Sequence, residues 1–291
     1  MKKYALLAAS LLMFFSAAPA LAGEGPLKVA IAAMLSPKET FVEYRRMVEY
    51  IGNKLGRKVE LVMRKDYAET DSLLRDSAVD LAFICAGPYV QDRKEFGVEL
   101  LAAPVVRGKT SYRSFIIVGK GSPYRSLKDL RGKSFAYTDQ NSNSGCWAPM
   151  YMLAKKGIDP DRFFSKVIYS HGHDSSVEAV ANGVVDGAAV DSIIYEYMVA
   201  KGSSSARGVK VIEESDDFGI PPVVVPKGLD PRLKAEARKV LLDMHQDPEG
   251  RKILGALFID KFVVPADKSY DSVRDINEYV KKLNKTRAKG K

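Results

Sequence analysis

The residues best equipped for chemistry lie in Asn141-Ser142-Asn143-Ser144-Gly145, where hydroxyls and amides precede an apolar, helix-forming stretch. At a helix start the first backbone N–H groups have no intrahelical partner, and the helix dipole adds partial positive charge. Such a turn can hold an anion without lysine, and added hydroxyls suit a tetrahedral oxyanion with three oxygens to satisfy. Serine and asparagine are also ordinary helix caps, so capping is the competing reading. What favours a ligand site is repetition: Ser36 to Thr40, Gly87 to Tyr89 and His173 to Ser176 are loops of the same kind. The candidate ligand-binding residues are Ser36, Gly87, Tyr89, Ser142, Asn143, Ser144, His173 and Asp191. Tyr89 reads either as a ligand contact or as packing beneath its loop, and His173 either as a contact or as a cap of the helix after it. Asp191 reads evenly as a contact or a cap.

These loops follow strands. Leu27 to Met34 is an apolar run expected to be a buried strand, and an amphipathic stretch continues through Leu55. Val59 to Met63 and Val79 to Ile84 read as strands, with a helix at Tyr67 to Asp76 and another opening after Gly87-Pro88. The alternation predicts a parallel sheet with right-handed crossovers, its post-strand loops gathered at one edge where open α/β folds bind ligands. The plan repeats with strands at Ser134 to Tyr137, Lys166 to Tyr169 and Asp186 to Val190, and helices at Cys146 to Lys156 and Ser175 to Asn182. Ser175 and Glu178 have capping-box spacing. The expectation is therefore an α/β chain of two lobes with a cleft between them. Residues 23–117 and 222–291 form lobe 1 and residues 118–221 lobe 2, with a first hinge at Gly119 to Pro123 and a return crossing at Pro221 to Val225. After Pro231 the chain reads as mainly helical. An anion gripped from both lobes would draw them closed, because donors on one lobe lack partners until the other supplies the rest.

Lys2 and Lys3, an apolar run from Tyr4 to Pro19, and Ala20-Leu21-Ala22 have the form of a signal peptide, residues 1–22, cut before Gly23. The mature chain would be a soluble periplasmic protein of roughly 270 residues, a length that suits two medium α/β domains. The formal charge of +9 is spread along a chain in which Lys and Arg often alternate with acids, which reads as solvated surface and implies no nucleic-acid partner. Only Lys281 to Lys291 is strongly one-signed. Cys85 and Cys146 are expected to be buried free thiols, since a bridge between lobes would lock the cleft. No cofactor or metal motif is present: there is no His-Glu-x-x-His, Gly-x-Ser-x-Gly, Walker loop, Gly-x-Gly-x-x-Gly or cysteine-histidine zinc spacing. The nearest approach to a catalytic pair is Cys146 with His173, so the chain is read as a non-enzyme and a monomer.

Taken in order, Gly87-Pro88-Tyr89, the segment Asp139 to Pro149, Gly172-His173-Asp174, Asp186-Gly187-Ala188-Ala189-Val190 and Asp247-Pro248-Glu249-Gly250-Arg251 resemble the periplasmic phosphate/phosphite/phosphonate-binding proteins over most of the mature chain. The resemblance implies a type II periplasmic binding fold, a small phosphorus oxyanion as ligand and an ABC permease in the inner membrane as partner. It also implies that Ser142, Asn143, Ser144 and Gly145 hold the phosphorus oxygens, in the place of a Ser-Thr-Ser-Gly loop. Asn143 departs from the usual threonine, exchanging a hydroxyl for an amide. Tyr89 and His173 match the family's loop tyrosine and histidine. An Asp191 facing the cleft would accept a proton from the ligand, which favours a hydrogen-bearing oxyanion or an amine-bearing phosphonate. A sensory binding protein serving a membrane receptor or kinase, and a binder of another small oxyanion or organic ligand, are the alternatives.

Overall fold

The computed structural model describes residues 25–34 and 37–289; the expected signal peptide and Ser36 lie outside the described residues. The first half begins β1 (Leu27–Ile31), α1 (Pro37–Lys54), β2 (Val59–Met63), α2 (Tyr67–Arg75), β3 (Leu81–Phe83), α3 (Ala86–Glu95) and β4 (Glu99–Val106). Then come β5 (Ser111–Tyr112), β6 (Ser114–Gly119), β7 (Ser134–Tyr137), α4 (Ala148–Lys155), β8 (Lys166–Tyr169), α5 (His173–Ala181), β9 (Gly187–Asp191), α6 (Ser192–Ala200), α7 (Ser204–Arg207) and β10 (Val209–Glu214). The chain ends with β11 (Phe218–Gly219), β12 (Val223–Val225), α8 (Pro231–Asp243), α9 (Pro248–Ala256), β13 (Ile259–Val263) and α10 (Asp271–Lys289).

Two mixed sheets result, in the orders β13-β4-β12-β3-β1-β2 and β10-β6-β9-β7-β8. Each has a parallel centre, β2-β1-β3 in one and β8-β7-β9 in the other, and each is extended by antiparallel strands. Along β1 the alternation of faces is used on both sides. Leu27, Val29 and Ile31 pack with Met47 and Ile51 of α1 and with Ala237 and Leu241 of α8. Ala30 turns to the opposite face and joins a core with Leu74, Tyr89, Tyr270 and Ile276, which continues into the second sheet through Phe135 and Ala189. Loops after β1, β2 and β3 and after β7, β8 and β9 therefore face one another between the sheets.

The first crossing is not at Gly119 to Pro123. Strand β6 pairs with β9 and β10 in the second sheet, whereas β4 belongs to the first, so the chain passes between sheets over Arg107 to Arg113. Glycine and proline mark a break in a strand but not which sheet that strand joins. The outgoing and returning segments pair as a two-stranded ribbon, Phe218 with Tyr112 and Gly219 with Ser111, and Ile220 N–H donates to Thr110 O at 3.1 Å. In the C-terminal region, expected to be mainly helical, β13 adds an antiparallel edge to β4. Helix α5 starts at His173 with Gly172 as its cap, so Ser175 and Glu178 sit inside the helix and form no capping box. The helix expected from Cys146 is preceded by a wider π-type turn at Asn143–Trp147, and α4 proper begins at Ala148. Among the described residues no helix is long and apolar enough to cross a membrane, and no cluster of acidic, histidine or cysteine side chains could hold a metal ion. Cys85 and Cys146 are buried and unbridged.

Candidate functional site

Strand β7 delivers Thr138 and Asp139 to its end, and Ser142 caps the turn that follows by accepting from Gly145 N–H at 3.0 Å. Gly145 is needed there because a side chain would stand 2.5 Å from Thr138 Cβ. The turn is inside the molecule: Ser142, Asn143 and Ser144 are all fully buried. Asn143 Nδ2 donates to the Tyr112 hydroxyl at 3.0 Å, and Ser144 O accepts from Ser114 Oγ at 2.6 Å. Neither Ser144 Oγ nor Asn143 Oδ1 has a hydrogen-bond partner among the described residues. Buried polar atoms are rarely left so in native proteins, and each one needs an explanation.

His173 enters from β8 through a left-handed residue, His171, at φ 58°. That conformation costs an L-residue roughly 1–2 kcal/mol, and His171 N–H is tied to Thr138 O at 2.8 Å. The imidazole is fully buried, and its Nδ1 accepts from Asp191 N–H at 3.1 Å with Thr138 Oγ1 at 3.0 Å. Because Nδ1 is the acceptor, the proton of the neutral ring belongs on Nε2. Burial lowers the pKa to about 3, so the ring is neutral, and Nε2 is a donor without a partner among the described residues.

From the first sheet, β2 leads to Asp66, which caps α2 by accepting from Glu69 N–H at 2.9 Å. The next residue, Tyr67, is fully buried; its N–H donates to Asp139 Oδ2 at 3.2 Å across the lobes. Burial holds its phenol well above the ordinary tyrosine range, so it stays protonated, and its hydroxyl also lacks a partner among the described residues. Asp139, Asp191 and Cys85 are close enough to act on its charge. Tyr67 was not among the residues singled out in the sequence, yet a signal for it existed. Tyr67 follows the second parallel strand of its sheet as His173 follows the second of the other, so the repeated plan pointed to it.

Asp191 ends β9 and caps α6, its Oδ1 accepting from Ile193 N–H at 2.7 Å and Ile194 N–H at 3.4 Å. Burial pushes its pKa up to about 7, against the lowering effect of those two amides. Gly87 lies where the lobes touch: a Cβ there would be 2.4 Å from Asn141 O and 3.1 Å from Asn143 N. A second interlobe tie is His173 N–H to Met34 O at 3.0 Å. Of the expected residues, then, Ser142, Asn143, Ser144, His173 and Asp191 are brought together, with Gly87 closing on their loop.

Tyr89 is not with them. Its hydroxyl donates to Asp267, whose carboxylate also meets Arg93 and Arg274, and its ring packs edge-on to Tyr270 at 4.6 Å. The reason is helical geometry. Two residues along α3 turn the side chain by about 200°, so a helix that aims Gly87 at the cleft aims Tyr89 away from it.

The arrangement can bind but is not armed for catalysis by a thiol. Neither nitrogen of His173 meets a sulfur: Nδ1 is engaged by Thr138 and Asp191, and Nε2 is unpartnered among the described residues. The Cys85 thiol, beside Tyr112, is pushed up to about 11 by burial and stays protonated. Among the described residues no lysine or arginine belongs to the cluster. Its donors are neutral, and its two carboxyl groups, Asp139 and Asp191, are both raised by burial.

Comparison with known proteins adds the following. A family model described as "ABC transporter, phosphonate, periplasmic substrate-binding protein" matches residues 29–270. The phosphonates-binding periplasmic protein of Escherichia coli (strain K12) is 27% identical over 273 residues, spanning 92% of this chain and 80% of that protein. Among solved structures, the binding-protein component of an ABC phosphonate transporter from Pseudomonas aeruginosa superposes with a TM-score of 0.83 at 25% identity, covering 88% of this chain and 87% of the other. PhnD1 of Prochlorococcus marinus, solved with methylphosphonate, superposes with a TM-score of 0.80 at 19% identity, covering 88% and 98%.

Proposed function

Because the chain belongs to the family of periplasmic substrate-binding proteins of phosphonate ABC transporters, we propose that it closes around one phosphorus oxyanion and delivers it to an importer's permease. The ligand is a phosphonate, phosphite or phosphate, held between the two sheets. The protein works as an exported monomer freed from its signal peptide before Gly23, and it carries out no reaction on its cargo.

The observation that supports this reading is the set of three buried, neutral donors contributed by both sheets: Tyr67 Oη, Ser144 Oγ and His173 Nε2. Three donors match the three oxygens of a phosphonate or phosphite. Asn143 can add a fourth by turning its amide over, since Oδ1 would then accept from Tyr112 and leave Nδ2 toward the ligand. A desolvated site built from neutral donors, with two carboxyl groups nearby, suits an anion of low charge that can share a proton.

The test is thermal unfolding of the purified mature protein with phosphate, phosphite, methylphosphonate and sulfate, followed by calorimetry. A ligand of the folded state stabilises by about 2.7 kcal/mol at one hundred times its Kd, so a phosphorus oxyanion should raise the Tm progressively with concentration. Sulfate, which carries no proton at neutral pH, should not. If none of the phosphorus oxyanions moves the Tm, the reading is wrong.

A further inference from the structure

Thr138, fully buried behind the donor cluster, has every one of its polar groups engaged there. Its N–H donates to Gly145 O at 3.0 Å, closing the turn that carries Ser144, and its carbonyl accepts from His171 N–H at 2.8 Å. Its Oγ1 lies 3.0 Å from His173 Nδ1, 3.2 Å from Ser176 Oγ and 3.3 Å from Ala189 O. Which way these bonds run follows from counting hydrogens, since a hydroxyl has one to give. Ser170 Oγ gives its hydrogen to Gly172 O at 2.9 Å, so at the 2.6 Å contact of Ser170 with Ser176 the hydrogen comes from Ser176. Ser176 therefore has none left for Thr138, and Ala189 O can only accept. Nδ1 already accepts from Asp191 N–H at 3.1 Å. All three neighbours of Thr138 Oγ1 are thus acceptors, the hydroxyl is the donor, and Nδ1 is the nearest of its acceptors.

We propose that Thr138 is a positioning residue: its hydroxyl donates to His173 Nδ1 beside the Asp191 amide and keeps the imidazole uncharged, with its one proton on Nε2 as a donor for the oxyanion. The inference rests on the oxyanion reading above and goes beyond it in naming what fixes the part played by His173. A ring whose proton moved between its nitrogens would meet the ligand part of the time with a lone pair, which repels an anion. A proton on Nδ1 would stand against the Asp191 amide and remove the nearest acceptor of the Thr138 hydroxyl, and a buried donor left unsatisfied costs about 1–3 kcal/mol. Through its backbone the same residue holds the Ser144 turn, so two of the three donors depend on it.

Long-range 1H–15N NMR of the imidazoles reads the position of the proton, with three histidines to assign. In the unliganded parent, His173 should show a protonated Nε2 and an unprotonated Nδ1. Thr138→Val keeps the shape of the side chain and removes the hydroxyl. It should move the His173 Nδ1 resonance while those of His245 stay, and calorimetry should show affinity for phosphate, phosphite or methylphosphonate, whichever binds the parent, lowered about five- to tenfold. Thr138→Ser, which retains the hydroxyl, should return both readings toward the parent. A proton on Nδ1 in the parent overturns the proposal, whether or not the valine variant folds. Parental ring signals in Thr138→Val overturn it too, as do shifted signals with undiminished affinity. If no phosphorus oxyanion binds the parent, the oxyanion reading falls, and the ring signals alone decide whether Thr138 sets the tautomer.

Discussion

The Ser144 and Tyr67 hydroxyls have no hydrogen-bond partner by geometry among the described residues, although Ser142 lies near enough to the Tyr67 phenol to act on it, and in the proposed site both hydroxyls donate to the ligand. Removing either should therefore cost ligand affinity and little folding stability. Ser144→Ala and Tyr67→Phe are each expected to weaken oxyanion binding by about 1–3 kcal/mol, read by calorimetry, with an unliganded Tm close to that of the parent. A second residue-scale expectation concerns Asp71 and Asp92, both buried, where α2 meets α3. Desolvation raises both pKa values, and for Asp71 the neighbouring carboxyl of Asp92 raises it further. The folded state therefore holds protons that the unfolded chain releases near pH 4, so this contribution to stability is complete below that pH and declines as pH rises through the raised folded values. Asp92→Asn supplies permanently the hydrogen that the pair otherwise shares. It should raise stability at pH 8 by about 1–3 kcal/mol and bring no gain at pH 4, as measured by urea unfolding at the two pH values.

In the proposed site the turns supply the donors. The Ser142 to Gly145 turn stood out in the sequence because small polar residues at a helix start suit an anion, and Ser142 also caps that turn, which was the competing reading. Tyr67 did not, although its place after β2 repeats that of His173 after β8, because an aromatic residue after a capping aspartate also reads as core. The β3–α3 turn shows how closely such elements approach one another: Gly87 leaves no room for a methyl group against Asn141 O, a backbone atom that cannot swing aside. Gly87→Ala should hold the two loops apart. We expect it to lower ligand affinity more than tenfold while leaving the unliganded Tm within a few degrees of the parent. Parallel calorimetry and thermal unfolding would check this, and equal losses in both would show that the turn serves folding instead.

At the scale of the molecule, the chain crosses between the sheets twice, and the crossings pair only as the short ribbon of β5 and β11. Contacts across the cleft are both polar and apolar: Tyr67 N–H to Asp139, His173 N–H to Met34 and the ion pair of Arg107 with Glu196, beside the shared core and the ring contacts of Tyr151 with Tyr279 and Tyr197 with Phe258. On the proposed function, a ligand that binds both lobes shifts the population toward the closed form. Small-angle scattering should show a smaller radius of gyration with the phosphorus oxyanion than without it. Gly87→Ala should blunt that change. A radius indifferent to saturating ligand would mean that closure does not accompany binding.

Local chemistry is what the amino-acid order determined by itself. The runs of β1, β2, β7 and β8, the α8 and α9 starts behind their capping aspartates, and the anion-suited turn at Ser142 all follow from periodicity and capping within a dozen residues. Which sheet β6 joins, which way Tyr89 points, and that Tyr67 N–H meets Asp139 across the lobes were decided only by tertiary structure. Strand partnership and side-chain direction are long-range outcomes: they depend on which surfaces bury one another, and a strand's own residues read alike in either sheet.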